Sequence, residues 1–230
     1  MPEIAVVAAL EREITALVRN WRVSDQEYGG KKFRFFESGN AVVVCGGMGF
    51  DAARRATEAI IALHHPSVVL SVGFAGALDA SFQAGDLLEP RYVVDSRDGT
   101  RTDTGSGRGV LVSFPTVADP EQKARLGKSY GAQAVDMEAA AVAKGAEARG
   151  LRFAAVKAIS DEVGFAMPPM DRFVAPDGSF RTGSFALYAA ARPLLWPKLL
   201  RLAQNSAKAT RALAAVLQSQ YAFSAVKEAG

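Results

Sequence analysis

Short apolar runs of strand length alternate along this chain with segments of helical period, and that alternation restricts the fold more than any other feature. Ile4 to Ala9 precedes a helical pattern over Glu11 to Asn20, Ala41 to Cys45 precedes one over Phe50 to Leu63, and Val68 to Val72 runs into a glycine-rich loop. Continuous apolar runs of this length suit strands, and recurrence every three to four residues suits amphipathic helices. Repeated units of this kind bury a largely parallel sheet between helices. Lys32 to Glu37 and Ala41 to Cys45 flank the turn formers Ser38, Gly39 and Asn40, which predicts a hairpin and therefore a mixed sheet. Further along come a strand within Asp86 to Val94, a polar loop from Asp95 to Gly109 that reads as a mobile rim, and a strand at Val110 to Ser113. A helix follows Asp119-Pro120, another spans about Met137 to Arg149, and a strand covers Phe153 to Ile159. With 230 residues, 49% of them hydrophobic, the chain buries one sizeable core, so the expectation is a single α/β domain over residues 1 to 230. Its layers are helix, central mixed sheet and helix, with a helical C-terminal extension from about residue 163 to 230.

Several function classes fall away on composition. Cys45 is the one cysteine, so no internal disulfide or cysteine zinc site can form. It has no histidine near it in sequence, and His64-His65 before Pro66 read as a helix C-terminus rather than as a nucleophile's partner. The N-terminus lacks a basic region and a cleavage site before the apolar run Ile4 to Leu10, which reads as a strand, and the expected location is cytoplasmic. No apolar stretch reaches the roughly 18 residues that span a bilayer. The formal charge is +3 with scattered basic residues, which speaks against nucleic acid as a partner. Between Ser184 and Leu217 apolar residues recur with Arg192, Lys198, Arg201, Lys208 and Arg211 among them, the pattern of basic amphipathic helices. Solvated surface helices are the plain reading of that pattern.

Chemistry is expected where strands end, because open α/β sheets bind ligands in the crevice beyond their carboxyl edge. Three such positions are acidic: Glu11-Arg12-Glu13, Asp136-Met137-Glu138 and Ser160-Asp161-Glu162. Each alone is explained by helix capping or by the helix dipole. Together they place several carboxylates at one crevice, where burial and like charge raise the pKa of one while others stay ionised. Gly46-Gly47-Met48-Gly49 and Gly73-Phe74-Ala75-Gly76 lie at the same edge and let a ligand approach backbone. Gly47, Gly49 and Ala52 fit a loose dinucleotide pattern, but the next strand brings Ser71 where an acid would hold a ribose hydroxyl.

Five strings, in order and spacing, resemble the purine and uridine phosphorylase superfamily, nearest its methylthioadenosine/adenosylhomocysteine nucleosidase branch. They are Ala9 to Glu13, Ser71 to Leu78, Gly85-Asp86-Leu87, Ala134 to Ala140 and Ala158 to Asp161. The resemblance covers roughly Ile4 to Glu162 and implies a phosphorylase/hydrolase-like fold and cleavage of the bond between a purine, adenine first, and ribose. It implies that Met137 and Glu138 hold the ribose, that Asp161 protonates the purine ring, and that Glu13 activates the attacking water. Gly49, Phe74, Ala75, Gly76, Val117, Asp136 and Ser160 would complete the substrate pocket. No metal or organic cofactor is implied, and phosphate stays open as a co-substrate: Phe74 stands where the nucleosidases have a small hydroxyl residue, and Glu13 where phosphorylases keep an arginine. The short middle and the tail rich in Pro, Trp and Leu are similar to bacterial hopanoid-biosynthesis-associated phosphorylases, which implies an adenosylated triterpenoid substrate, peripheral contact with membrane lipid, and a homo-oligomer. A non-catalytic nucleoside-binding protein is the alternative of another class, and Glu13, Glu138 and Asp161 argue against it.

Overall fold

In the computed structural model, which describes residues 2 to 221, the alternating pattern folds as a mixed sheet between two layers of helices. The strands are β1 (Ile4–Ala8), β2 (Arg22–Tyr28), β3 (Lys31–Ser38), β4 (Ala41–Cys45), β5 (Val68–Ala77), β6 (Leu87–Leu88), β7 (Tyr92–Asp95), β8 (Arg101–Asp103), β9 (Val110–Ser113), β10 (Ala134–Asp136) and β11 (Arg152–Asp161). The helices are α1 (Glu11–Val18), α2 (Phe50–His64), α3 (Pro120–Tyr130), α4 (Ala139–Glu147), α5 (Thr182–Ala190) and α6 (Trp196–Gln220). The path β2-β3-β4-β1-β5-β10-β9-β7-β8 is joined by β11, which pairs with β5 and β6. Strand β1 runs parallel to β4 and β5, and β5 parallel to β11, so these four end at one edge. On one face Ala53, Ala56 and Ile60 of α2 and Ala139 to Ala143 of α4 close the core. On the other, Ile14 and Leu17 of α1 meet Ala209, Leu213 and Leu217 of α6 over Val6, Leu70 and Val156.

Most expected elements form, and the exceptions have physical causes. Strand β5 does not stop at Val72 but continues through Gly73 to Ala77, pairing with β11 along its length and antiparallel with β10 at Gly76 and Ala77. Its glycines look like a turn in one dimension; in the sheet they are where side chains from neighbouring elements need the room. The stretch from Asp95 to Gly109 is not a free rim, because β8 pairs with β7 inside it. Arg97 and Lys144 both grip Asp95 at 2.6 Å, and Lys144 also reaches Asp98 at 2.7 Å. Strand β2 escapes the hydrophobic pattern, since Arg22, Asp25 and Glu27 dominate an edge strand held to β3 by backbone pairing. His65 ends α2 in the left-handed conformation, its N–H donating to the carbonyl of Ile61, as the helix-end reading expects.

The C-terminal extension divides in two. The second half of α6 buries Asn205, Ala209, Leu213, Ala214, Val216 and Leu217, whereas α5 and the start of α6 lie on the surface. Residues 222 to 230 of the extension lie outside the described residues. Among the described residues no helix is long and apolar enough to cross a membrane.

Candidate active site

Beyond the carboxyl edge of β1, β5, β10 and β11 lies a pocket that draws residues from all four strand ends. Glu13, Asp161, Phe74, Ala75, Gly76 and Val117 line it, and so do Asp136, Met137, Glu138 and Ser160. Gly49 is held just behind the wall, donating its N–H to Glu138 Oε1 at 2.7 Å. All eleven residues expected from the sequence therefore gather at one place.

Glu13 owes its position to the start of α1. Its carboxylate folds back to accept the N–H groups of Ala9, just before the helix, and of the N-cap Leu10 at 3.1 and 3.2 Å. The chain can seat it there because Gly73 has no side chain: a Cβ at that residue would stand 2.9 Å from Glu13 Oε2. Gly76 does the same for Asp161, whose Oδ2 would meet an added Cβ at 2.8 Å. Asp161 accepts the Ser160 hydroxyl at 2.7 Å through Oδ1, and its Oδ2 accepts from the buried ammonium of Lys123. Lys123 also donates to the carbonyl of Glu162 at 2.8 Å.

Asp136 is fully occupied by protein. Its carboxylate accepts Ser113 Oγ at 2.6 Å and the Ala139 N–H at 2.8 Å, and it pairs with Lys157 Nζ at 2.9 Å. Those bonds fix the turn from β10 into α4, and with it Glu138, which accepts the N–H of Met137 at 3.2 Å besides that of Gly49. Lys157 is buried on β11 and faces Glu13, Asp136 and Glu138 together. Burial opposes its charge, and the three carboxylates hold it charged. One cation does not neutralise three anions. Burial first, and then Asp136, push the carboxyl of Glu138 up to about 7, while burial raises that of Glu13 against the pull of Lys157. Cys45 is of no use as a nucleophile, because burial, reinforced by Glu13, pushes its thiol far up. Among the described residues no three His, Cys, Asp or Glu side chains come together as a metal site.

Sequence reasoning missed the two lysines and part of the apolar wall. Lys157 had a signal, since a lone lysine within the apolar run Phe153 to Ile159 must be buried and must find a countercharge. Lys123 had none: it sits in the polar helix α3, and only the tertiary fold turns it onto Asp161. Leu10, Met48, Met167 and Met170 add apolar surface to the pocket, and Arg12 lines it with its guanidinium 5.8 Å from the Phe180 ring.

The family model described as "Phosphorylase superfamily" matches residues 3–126 and 116–174. A 5'-methylthioadenosine/S-adenosylhomocysteine nucleosidase of Staphylococcus aureus is 24% identical over 200 residues, covering 69% of this chain and 86% of the relative. Among solved structures, a 5'-methylthioadenosine/S-adenosylhomocysteine nucleosidase of Helicobacter pylori, with butyl-thio-DADMe-Immucillin-A, superposes with a TM-score of 0.71. It is 19% identical and covers 96% of this chain and 98% of its own. The futalosine hydrolase of Helicobacter pylori also gives 0.71, at 19% identity, over 96% of this chain and 97% of its own. These likenesses match the α/β architecture expected from the sequence.

The raised carboxyl of Glu138 sets a pH dependence of stability. Its folded-state value lies above the ordinary 4.5, so between about 4.5 and 7 the folded protein binds more protons there than the unfolded chain, and stability falls as pH rises. Urea unfolding from pH 5 to pH 8 will show wild type losing more stability than Glu138→Gln, which has nothing to ionise. Parallel profiles for the two proteins would show that Glu138 is not raised.

Proposed function

The chain belongs to the phosphorylase superfamily, and from that premise we propose that it is a purine nucleosidase, cleaving with water the N-ribosidic bond of an adenine nucleoside that carries an apolar 5'-substituent. The observation that carries this reading is the convergence of Glu13, Glu138 and Asp161 from three separate strand ends on one pocket. As the bond to the base breaks, positive charge grows on the sugar and negative charge on the purine, so carboxylates near the sugar and a proton source near the base act where charge develops. Glu138 accepts the ribose hydroxyls, with Gly49 and Met137 holding its two oxygens. Glu13, raised by burial, takes the proton of the attacking water. The proton for the departing base comes from the Asp161 end of the pocket. Asp136, at the pocket wall, holds Lys157 and the start of α4. Phe74, Ala75, Gly76, Val117 and Ser160 shape the base side, and Leu10, Met48, Met167 and Met170 favour an apolar 5'-group. The names of the relatives support adenine over other bases, and those of the nucleosidase and the hydrolase support water over phosphate. A protein that only binds nucleosides would have no use for a buried, raised carboxyl over a bare glycine.

Chromatography of adenosine, inosine and 5'-substituted adenosines, each with and without phosphate, tests this directly. Wild type will release adenine without phosphate, and Asp161→Asn and Glu13→Gln will each lose about 100-fold or more while remaining folded. Full activity in Asp161→Asn would remove the base-end assignment, and strict dependence on phosphate would replace hydrolysis by phosphorolysis.

The surface beside the pocket favours one class of 5'-substituent. Helix α5 buries none of its residues, and Leu187, Leu194, Trp196 and Leu200 are 75%, 96%, 55% and 62% exposed. From Gly178 to Gln220 there is no acidic residue, while Arg181, Arg192, Lys198, Arg201, Lys208 and Arg211 are basic. Phe185 and Tyr188 of α5 stack within 5.3 Å of Phe173, close in sequence to the pocket residue Met170. Apolar side chains exposed among basic ones match an anionic lipid surface. We infer that this face rests on such a surface as a peripheral contact, and that the substrate is a lipid-tailed nucleoside such as an adenosylated triterpenoid. Arg192 and Lys198 near the headgroups are worth about 1 kcal/mol each, so anionic vesicles should bind about tenfold or more better than neutral ones. Co-sedimentation with phosphatidylglycerol vesicles will show binding that the double substitution Leu194→Ser, Trp196→Ser abolishes. Binding unaffected by the double substitution, or absent from wild type, ends the lipid reading. Conversion of a dimer to a monomer by the same substitutions, with vesicle binding unchanged, would assign the face to a second copy of the chain.

A further inference from the structure

The glycine loop between β4 and α2 runs from the seat of Glu13 to Glu138, and each of its four N–H groups has a partner. Gly46 and Gly47 donate to the carbonyls of Ala8 and Ala9 at 2.9 and 3.0 Å, and Ala9 in turn donates its own N–H to Glu13. Gly49 donates to Glu138 Oε1 at 2.7 Å. Between them, Met48 donates to the carbonyl of Gly178 at 2.8 Å. That partner comes from neither β1 nor β10 but from the Pro176-Asp177-Gly178 turn, far along the chain. The turn is closed by the Ala175 N–H donating to the Ser179 carbonyl at 2.8 Å and the Gly178 N–H to the Ala175 carbonyl at 2.9 Å. Asp177 Oδ1 accepts both the N–H and the hydroxyl of Ser179, at 3.0 and 2.7 Å, which stiffens it further.

The turn meets the loop backbone against backbone. A Cβ on Gly47 would stand 2.9 Å from the carbonyl carbon and oxygen of Gly178, and one on Gly178 would stand 2.5 Å from Ala52 Cβ and 2.8 Å from the Met48 carbonyl oxygen. Both glycines have positive φ, 101° and 86°, where a side chain is strained. Lys31 Nζ and Arg55 Nη2 each stand 3.5 Å from the Asp177 carbonyl oxygen, which ties the turn to β3 and α2 as well. A glycine loop is pliable backbone, so a loop that must aim an N–H needs to be fixed from outside. Here the aimed group is that of Gly49, whose bond to Glu138 is shorter than the 3.2 Å bond from Met137. We propose that Gly178 is a positioning residue for ribose recognition: its turn clamps the glycine loop, and the loop sets the Glu138 carboxylate toward the ribose hydroxyls. This rests on the nucleosidase reading given above, in which Glu138 accepts those hydroxyls. Misplacing such a group by about 1 Å can cost about 100-fold in rate.

The test compares 5'-methylthioadenosine with its 3'-deoxy analogue, which lacks one hydroxyl. A site built to bond a hydroxyl rejects a substrate without it, so wild type should favour 5'-methylthioadenosine about 100-fold or more in kcat/KM. Gly178→Ala and Gly47→Ala press on the same contact from opposite sides. Each is expected to lower kcat/KM for 5'-methylthioadenosine about tenfold or more while changing the 3'-deoxy analogue by less than about threefold. The activity retained on the analogue also reports that each variant is folded. In a Glu138→Gln background, Gly178→Ala should cost less than about threefold more, because both changes act through one contact. Equal losses on the two substrates would make the turn a structural clasp and overturn the proposal. So would an unchanged preference in both variants, or full additivity with Glu138→Gln. A wild type that cleaves both substrates equally would instead remove Glu138 from the ribose, and one inactive on both would defeat the nucleosidase reading beneath.

Discussion

One buried ammonium, that of Lys157, decides whether the rest of the site can exist. It lies on β11 within 2.9 Å of Asp136 and faces Glu138 and Glu13, carboxylates contributed by the ends of β10 and β1. Without it, anionic groups packed beyond a sheet edge would repel and take up protons. Buried ion pairs add little net stability, but removing one partner from such a pair typically costs about 3 to 5 kcal/mol, because the other charge is left stranded. The pair therefore acts less as a source of stability than as a constraint on charge. It anchors Asp136 in an ion pair, while burial and the neighbouring Asp136 push the carboxyl of Glu138 up to about 7. The surroundings thus raise the carboxyls of Glu13 and Glu138, the kind of tuning that acid and base work on one substrate requires.

The second constraint is room. Glu13 and Asp161 reach into the pocket over Gly73 and Gly76, where any side chain would collide with their oxygens. This is why β5 carries glycines while continuing as a strand, and why the same four residues read as a turn in the sequence. The parts of the site that were legible in one dimension are those fixed by strand ends: Asp136 and Glu138 after β10, Ser160 and Asp161 at the end of β11, and Glu13 at the start of α1. Local chemistry set their positions, so spacing and residue type sufficed. Lys123 was illegible because its pairing with Asp161 arises only when α3 packs on β9 and β10, and nothing in the helix around it departs from an ordinary polar surface. The edge strand β2 was hidden for a related reason, its pairing being made by backbone while its side chains stay polar.

The C-terminal helices show the same division between what burial dictates and what it leaves free. Leu213 and Leu217 of α6 are sealed against α1 and β11, contributing to the core as any amphipathic helix does. Leu194, nineteen residues or more before them in the chain's outer segment, is 96% exposed. Folding gains almost nothing from apolar side chains left in water. Helix α5 stacks on Phe173, three residues along the chain from the pocket residue Met170.

The proposed function requires the pocket to stabilise positive charge on a ribosyl group bound beside an adenine. Isothermal titration with an adenine-linked pyrrolidine, protonated at the position of the developing sugar cation, against the same molecule with a neutral carbocyclic ring, measures that directly. The cation is expected to bind about 100-fold tighter or better, and Glu13→Gln and Glu138→Gln to erase most of the difference. Equal affinity for the charged and neutral rings would contradict it.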